Sequence, residues 1–172
     1  MFTTVRAFMV ASILCGAATA QAQYSNRSLG LGFGATKISA DREPIQWALP
    51  ISLEGSFYID SGFGMTGRAG VMVMFDPASN TQVLGLSIML GARYLFLEEW
   101  VRPYIGLSLA NLDIFRTTGT EVFFGPGPEL GVDFMVSDGV SLGLRGFATF
   151  YLTLNVPVHI SYGGSANVHV YF

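Results

Sequence analysis

His159 and Ser161 are the pair whose side chains most readily suggest a reaction. A histidine base beside a serine nucleophile cleaves esters and amides when a third group orients the imidazole. No Asp or Glu follows Ser161 to fill that role. Alternation along this stretch also turns His159 and Ser161 away from the side shared by Val158, Ile160 and Tyr162. Both are read as lining an interior or standing at a polar strand end, and no catalytic residue is expected. His169, the other histidine, is next to the C-terminus and is read as a lumen or interface side chain. Two isolated histidines without a carboxylate cluster make no metal site, so neither metal nor cofactor is expected.

The second group with chemical potential is ionic. Glu54, Arg68, Arg93, Glu129, Asp133 and Arg145 each fall on the same side of their stretch as Gly, Ser and Ala, opposite an apolar side. Three are acidic and three basic, and buried charges persist only when paired. Counting back from the turn at Asp60 sets Glu54 beside Arg68. Counting from Asp138 sets Glu129 diagonal to Arg145. Arg93 is expected to reach Asp133 or Glu129. Such a set reads either as a gated ion path or as a plug of ion pairs. The plug is preferred, because the barrel inferred below is just wide enough to be filled by its own side chains.

Period-two alternation fixes the elements that must carry these groups. Eight strands are expected: Leu29–Lys37, Trp47–Tyr58, Phe63–Phe75, Leu84–Phe96, Pro103–Ile114, Val122–Phe134, Val140–Tyr151 and Val158–Phe172. Each apolar side runs about 9–13 residues, near the ~10 that a tilted strand needs to cross a bilayer. In the fifth strand, strict parity puts Asn111 and Asp113 on the apolar side. A β-bulge after Ala110 is expected there, returning Leu112 and Ile114 to the outside. Pro126 and Pro128 are awkward in a paired sixth strand. Gly163-Gly164 is a candidate kink in the eighth.

Aromatic residues collect at the two ends of the apolar sides, where a membrane meets water. Phe57, Phe63, Tyr94, Phe96, Trp100, Phe134 and Phe172 fall at one end, with the short turns near Asp60, Glu98 and Asp138. Trp47, Phe75, Phe115, Phe124 and Phe150 fall at the other, and Phe33 is the exception to the pattern. The last stretch alternates Ala166, Val168, Val170 and Phe172 with polar residues and ends on the ring. It needs a partner strand on either side and an apolar surround, which a closed barrel in a membrane supplies.

Composition agrees. The chain has 172 residues, 51 % of them hydrophobic, yet past its first segment no apolar run approaches the ~20 of a membrane helix. Met1–Ala22 has the form of a cleaved signal peptide: Arg6, an apolar Ala7–Ala18 segment, and Ala20-Gln21-Ala22. Residues 23–172 then form one barrel domain. Cys15 leaves with the signal, and no disulfide remains to stabilise the exported chain. Losing Arg6 leaves eight basic against twelve acidic residues and no basic run, which argues against nucleic acid as a partner.

The expected fold is therefore all-β: an eight-stranded antiparallel up-and-down transmembrane β-barrel. The chain resembles the small outer-membrane β-barrel superfamily, the OmpA/OmpX-like barrels. The likeness rests on Arg102-Pro103-Tyr104-Ile105-Gly106-Leu107, Gly125-Pro126-Gly127 with Glu129-Leu130-Gly131-Val132, Ser137-Asp138-Gly139-Val140-Ser141-Leu142, and terminal Phe172. It implies insertion by the outer-membrane assembly machinery, which reads a C-terminal aromatic, here with Val168, Val170 and Phe172. It also implies contact with outer-membrane lipid and lipopolysaccharide, and roles from envelope scaffolding to adhesion and passive transport. Both termini are expected in the periplasm. The His159-x-Ser161 pair is similar to that of outer-membrane lipid A deacylases, without the acid those enzymes carry after the serine. Three functions follow in order of preference: a non-enzymatic scaffold or subunit of an envelope complex, for adhesion or surface motility among other tasks; a narrow channel for small solutes or ions; a lipid-modifying enzyme.

Overall fold

A computed structural model describes residues 26–40, 43–59, 62–76, 81–96, 100–116, 119–153 and 156–172. The expected signal peptide, with Cys15, lies outside the described residues. Eight strands follow in order: β1 (Arg27–Ala40), β2 (Glu43–Tyr58), β3 (Phe63–Asp76), β4 (Thr81–Leu95), β5 (Val101–Arg116), β6 (Gly119–Ser137), β7 (Val140–Thr153) and β8 (Val156–Tyr171). Each pairs antiparallel with its chain neighbours, and β1 pairs with β8, so the sheet closes. The final strand is bonded on both sides, by β1 from Ser28–Tyr171 to Ser39–Ile160 and by β7.

Closure has a definite stagger. Ile38 lies opposite Ser161, Ser161 opposite Thr149, and Thr149 against Gly127. The circuit continues through Ser108, Gly91, Thr66 and Ser56 to Ser28. It returns to β1 ten residues from its start, at 28 instead of 38. For eight strands, that stagger accompanies a strand tilt of about 35–45° and an interior that side chains can fill.

The sides alternate as the period requires. Leu31, Ile51, Met65, Leu90, Leu107, Leu130 and Leu144 are exposed outside, whereas Glu54, Arg68, Tyr104, Glu129 and Asn167 are buried inside. An outer wall of this apolarity is stable only in lipid. No helix among the described residues is long and apolar enough to cross a membrane.

Strand five differs from expectation. Its pairings with β4 and β6 run without a shift, so no bulge follows Ala110. Leu112 and Ile114 point inward and are 1 % and 4 % exposed. Asn111 and Asp113 face outward and half-buried, and Asn111 Nδ2 donates to Asp113 Oδ1 at 3.2 Å. The physical reason is that the interior is apolar at this level too, so inward Leu112 and Ile114 cost nothing. They join Ile38, Ala48, Met72, Met74, Phe123 and Tyr151 in one cluster. The register shifts that occur are elsewhere, beside Ile38, Met135 and Tyr151.

Strand eight passes Gly163-Gly164 in unbroken register with β1 and β7. Pro126 and Pro128 keep their partners on β5, Leu109 and Leu107. On the other side, the β6–β7 ladder has no paired residues between Phe124 and Glu129. Prolines lack the N–H that such a ladder uses, which accounts for the gap.

Candidate functional site: a layered lumen

Three layers fill the barrel. At the end where β1 begins and β8 ends, Tyr58, Leu95, Tyr104 and Tyr171 pack together, with Met135 against them. At the opposite end sits the apolar cluster around Met72, Met74, Leu112 and Phe123. Between them lie the six ionisable residues named from the sequence, all buried.

The strand registers and the stagger decide which charges meet. Glu54 on β2 is directly paired with Arg68 on β3, and Arg68 Nε lies 3.6 Å from Glu54 Oε1. The strongest link crosses the lumen: Arg145 on β7 donates from Nη1 and Nη2 to Glu54 Oε2 and Oε1 at 2.8 and 2.9 Å. This forked geometry is the favourable form of an arginine–carboxylate pair. A second cross-lumen bond runs from Arg68 Nη2 to Glu129 Oε2, 2.6 Å. Arg93 Nη2 is 3.6 Å from Glu129 Oε1, and its Nη1 is 4.0 Å from Asp133 Oδ2. Glu129 does stand diagonal to Arg145, since its direct partner on β7 is Phe147. The closest ion pairs of these two residues, however, are to Arg68 and Glu54 respectively.

Small residues make room for this chemistry. A side chain at Gly32 would collide with Glu54 Oε1 and approach Ser52 Oγ. One at Gly143 would collide with Asp133 Oδ1. Ser52 Oγ donates to Glu54 Oε1 at 2.9 Å. Arg93 is held by its own surroundings: Nη1 donates to Tyr58 OH at 3.3 Å, and the guanidinium lies 4.4 Å from the Tyr104 ring centre. A cavity of about 40 Å³ beside Arg68 and Arg145, also lined by Ser52, Ser87, Thr36 and Met72, has room for a few waters.

His169, read from the sequence as a lumen or interface side chain, is in the lumen, 1 % exposed. Sequence reasoning missed its neighbour: Nε2 lies 3.5 Å from Glu54 Oε2, within the ionic layer. The apolar outer layer was also missed, although Met72, Met74 and Phe123 share the interior side.

His159 and Ser161 are both inside and buried, in the outer half. The Ser161 hydroxyl is 2.9 Å from Thr36 Oγ1, and His159 meets Phe123 edge to face at 4.9 Å. Among the described residues, His159 Nε2 has no hydrogen-bond partner. Among the described residues, no group of three or more His, Cys, Asp and Glu is placed to hold a metal ion.

On the outer wall, Phe57, Phe63, Tyr94, Phe96, Trp100, Phe134 and Phe172 are exposed at the end where β1 begins and β8 ends. Trp47, Phe115, Phe124 and Phe150 are exposed toward the other end. Phe75 stands opposite Trp47 in the β2–β3 ladder, and its side chain lies outside the described residues. Val168 and Phe172 point outward and exposed, and Val170 is half-buried between them.

Comparison with known proteins gives the same architecture. Residues 7–157 match the model of the outer membrane protein β-barrel domain. No curated protein matches the chain. Neisserial surface protein A superposes with a TM-score of 0.68 at 20 % identity, over 86 % of this chain and 98 % of its own. The outer membrane protein OprG from Pseudomonas aeruginosa gives 0.61 at 13 % identity, over 86 % and 96 %. The outer membrane enzyme PagL gives 0.52 at 18 % identity, over 81 % and 97 %.

Proposed function

The chain belongs to the outer membrane protein β-barrel family, and on that footing we propose that it serves as a sealed, non-enzymatic scaffold or subunit of a cell-envelope complex. The observation that carries this reading is the layered lumen. Paired charges occupy the middle, tyrosines one end and an apolar cluster the other. A solute entering from either side would have to displace buried apolar side chains and break cross-lumen ion pairs. A barrel filled in this way offers its outer wall, its loops and its rims to other molecules.

Orientation and assembly follow the same reading. An export signal on Met1–Ala22 leaves both termini periplasmic, with the Phe57-to-Phe172 aromatic set at the inner interface and the Trp47 set at the outer one. The outward Val168, Val170 and Phe172 present the assembly machinery with an apolar, aromatic-ended strand. Lipid and lipopolysaccharide cover the wall, and other envelope proteins are the partners.

PagL is an enzyme, but a lipid-cleaving role is not carried over to this chain. The His159–Ser161 pair faces the lumen, away from lipid, and the serine hydroxyl is engaged by Thr36. The narrow channel is the second reading, and the small cavity beside Arg68 and Arg145 is what favours it. Affinity capture of the tagged chain from gently solubilised membranes, with mass spectrometry, tests the scaffold. One or more envelope proteins are expected in reproducible stoichiometric amounts. Recovery of the barrel alone would count against it.

A further inference from the structure

The outer wall carries its own pattern of charge. Toward the outer aromatic end, the wall's side chains among the described residues include two ionisable groups, Lys37 on β1 and Asp113 on β5. Lys37 is also the sole lysine of the chain. The two strands are four apart in a closed ring of eight, so these charges lie on opposite sides of the barrel.

They also stand at nearly the same level. The ladder row through Asp113 passes Leu86, Val71 and Ile51 and reaches β1 at Phe33, four residues below Lys37. A row in this barrel climbs ten residues per turn, and so five over half a turn. The two corrections leave Lys37 and Asp113 within one residue of each other, about 3 Å along the strand.

Shape follows charge. Below Lys37, the wall is indented by a groove bordered by Phe33, Leu130, Leu144 and Ala166, with Gly146 and Gly164 at its floor. Gly146 is opposite Gly164, and Gly164 opposite Ala35, so three small residues stand in a row. On the far side, below Asp113, Leu90 and Leu107 project with 67 % and 60 % exposure, beside Leu109. The row through Leu109 and Leu90 reaches β1 at Leu29, six residues below Ala35. The same five-residue correction brings ridge and groove to one level. Lys37 lies over the Trp47 ring at 4.6 Å, and Asp113 is held by Asn111, so both charges are fixed on the wall.

We propose that a second copy of this chain is the occupant of that groove: the β4–β5 ridge of one barrel seats against the β7–β8–β1 wall of the next, with Asp113 facing Lys37. The two surfaces differ and lie on opposite sides, so the contact is heterologous and repeats as an open row of barrels, not a closed dimer. Small residues on a lipid-facing wall let backbones approach closely, and a charge pair at the interface sets level and orientation. The proposal concerns the outer wall and does not depend on the lumen being sealed.

A carbodiimide, which joins an amine directly to a carboxylate in contact with it, tests this on the full-length exported protein in liposomes. Within one barrel the two groups are on opposite sides, so a Lys37–Asp113 linkage found by mass spectrometry must join two copies. That linkage is expected. Energy transfer between labelled copies gives an independent readout. Lys37→Glu and Asp113→Lys should each lower it about fivefold, and the two together should restore at least half of it. All variants should keep the gel shift of a folded barrel, since both residues are on the outer wall. Absence of the linkage, attachment of Lys37 to other carboxylates alone, or failure of the double variant to recover would each overturn the proposal. So would loss of bound lipopolysaccharide in Lys37→Glu with no contact between copies, which would make the groove a lipid site.

Discussion

Glu54→Gln should be among the most destabilising conservative changes in this barrel, by about 3–5 kcal/mol. Its carboxylate takes the forked bond from Arg145, lies 3.6 Å from Arg68 Nε and 3.5 Å from His169 Nε2, and accepts from Ser52. Glutamine keeps the shape but leaves a buried guanidinium without its counter-charge. The cost comes from that orphaned cation more than from the lost bond. Urea titration of the folded band on unboiled gels reads the change. Replacing both partners, Glu54→Met with Arg145→Met, should recover most of the loss, because an apolar pair leaves no unpaired charge. A single variant within about 0.5 kcal/mol of the parent would show that water, not Glu54, satisfies Arg145.

Gly125→Ala should be comparably severe for a different reason. A Cβ at this position would run into the Phe150 carbonyl oxygen of β7, with Tyr151 Cα 3.0 Å away. Those atoms are backbone and move only if the strands part. They would part where Pro126 and Pro128 already leave the β6–β7 ladder without pairs. Overpacking of this kind costs about 1–3 kcal/mol in a well-tied region, and this seam is expected to lie at the upper end. Gly67→Ala is the matched control, since its new methyl would meet only the flexible Leu90 side chain at 3.7 Å. Equal urea midpoints for the two variants would contradict the reading of the seam.

Much of this architecture was legible because one physical rule governs it. Lipid outside and a narrow lumen inside force a period of two, and that rule alone set Glu54, Arg68, Arg93, Glu129, Asp133 and Arg145 on the inner side. The neighbouring pair Glu54–Arg68 followed from a short turn. The cross-lumen partners did not. Arg145 to Glu54 and Arg68 to Glu129 depend on the ten-residue stagger, which is a property of the closed ring and of no single hairpin.

The failure in β5 is equally instructive. Reading every apolar residue as lipid-facing required a bulge at Ala110 to turn Leu112 and Ile114 outward. Uninterrupted parity from Pro103 to Phe115 was the better guide. An apolar cluster fills this part of the lumen, so Leu112 and Ile114 are at home inside. Asn111 and Asp113 then stand outside near Phe115 and Phe124, toward the aromatic end of the wall, where polar groups cost less than at mid-membrane.

The most direct measurement of the central claim is single-channel recording of the purified, folded protein in planar bilayers. A lumen closed by tyrosines, paired charges and an apolar cluster predicts a flat trace, without resolved unitary steps at either polarity. Large, stable and reproducible openings from protein that shows the folded-barrel gel shift would contradict it, and would make the ionic layer a conduction path instead of a plug.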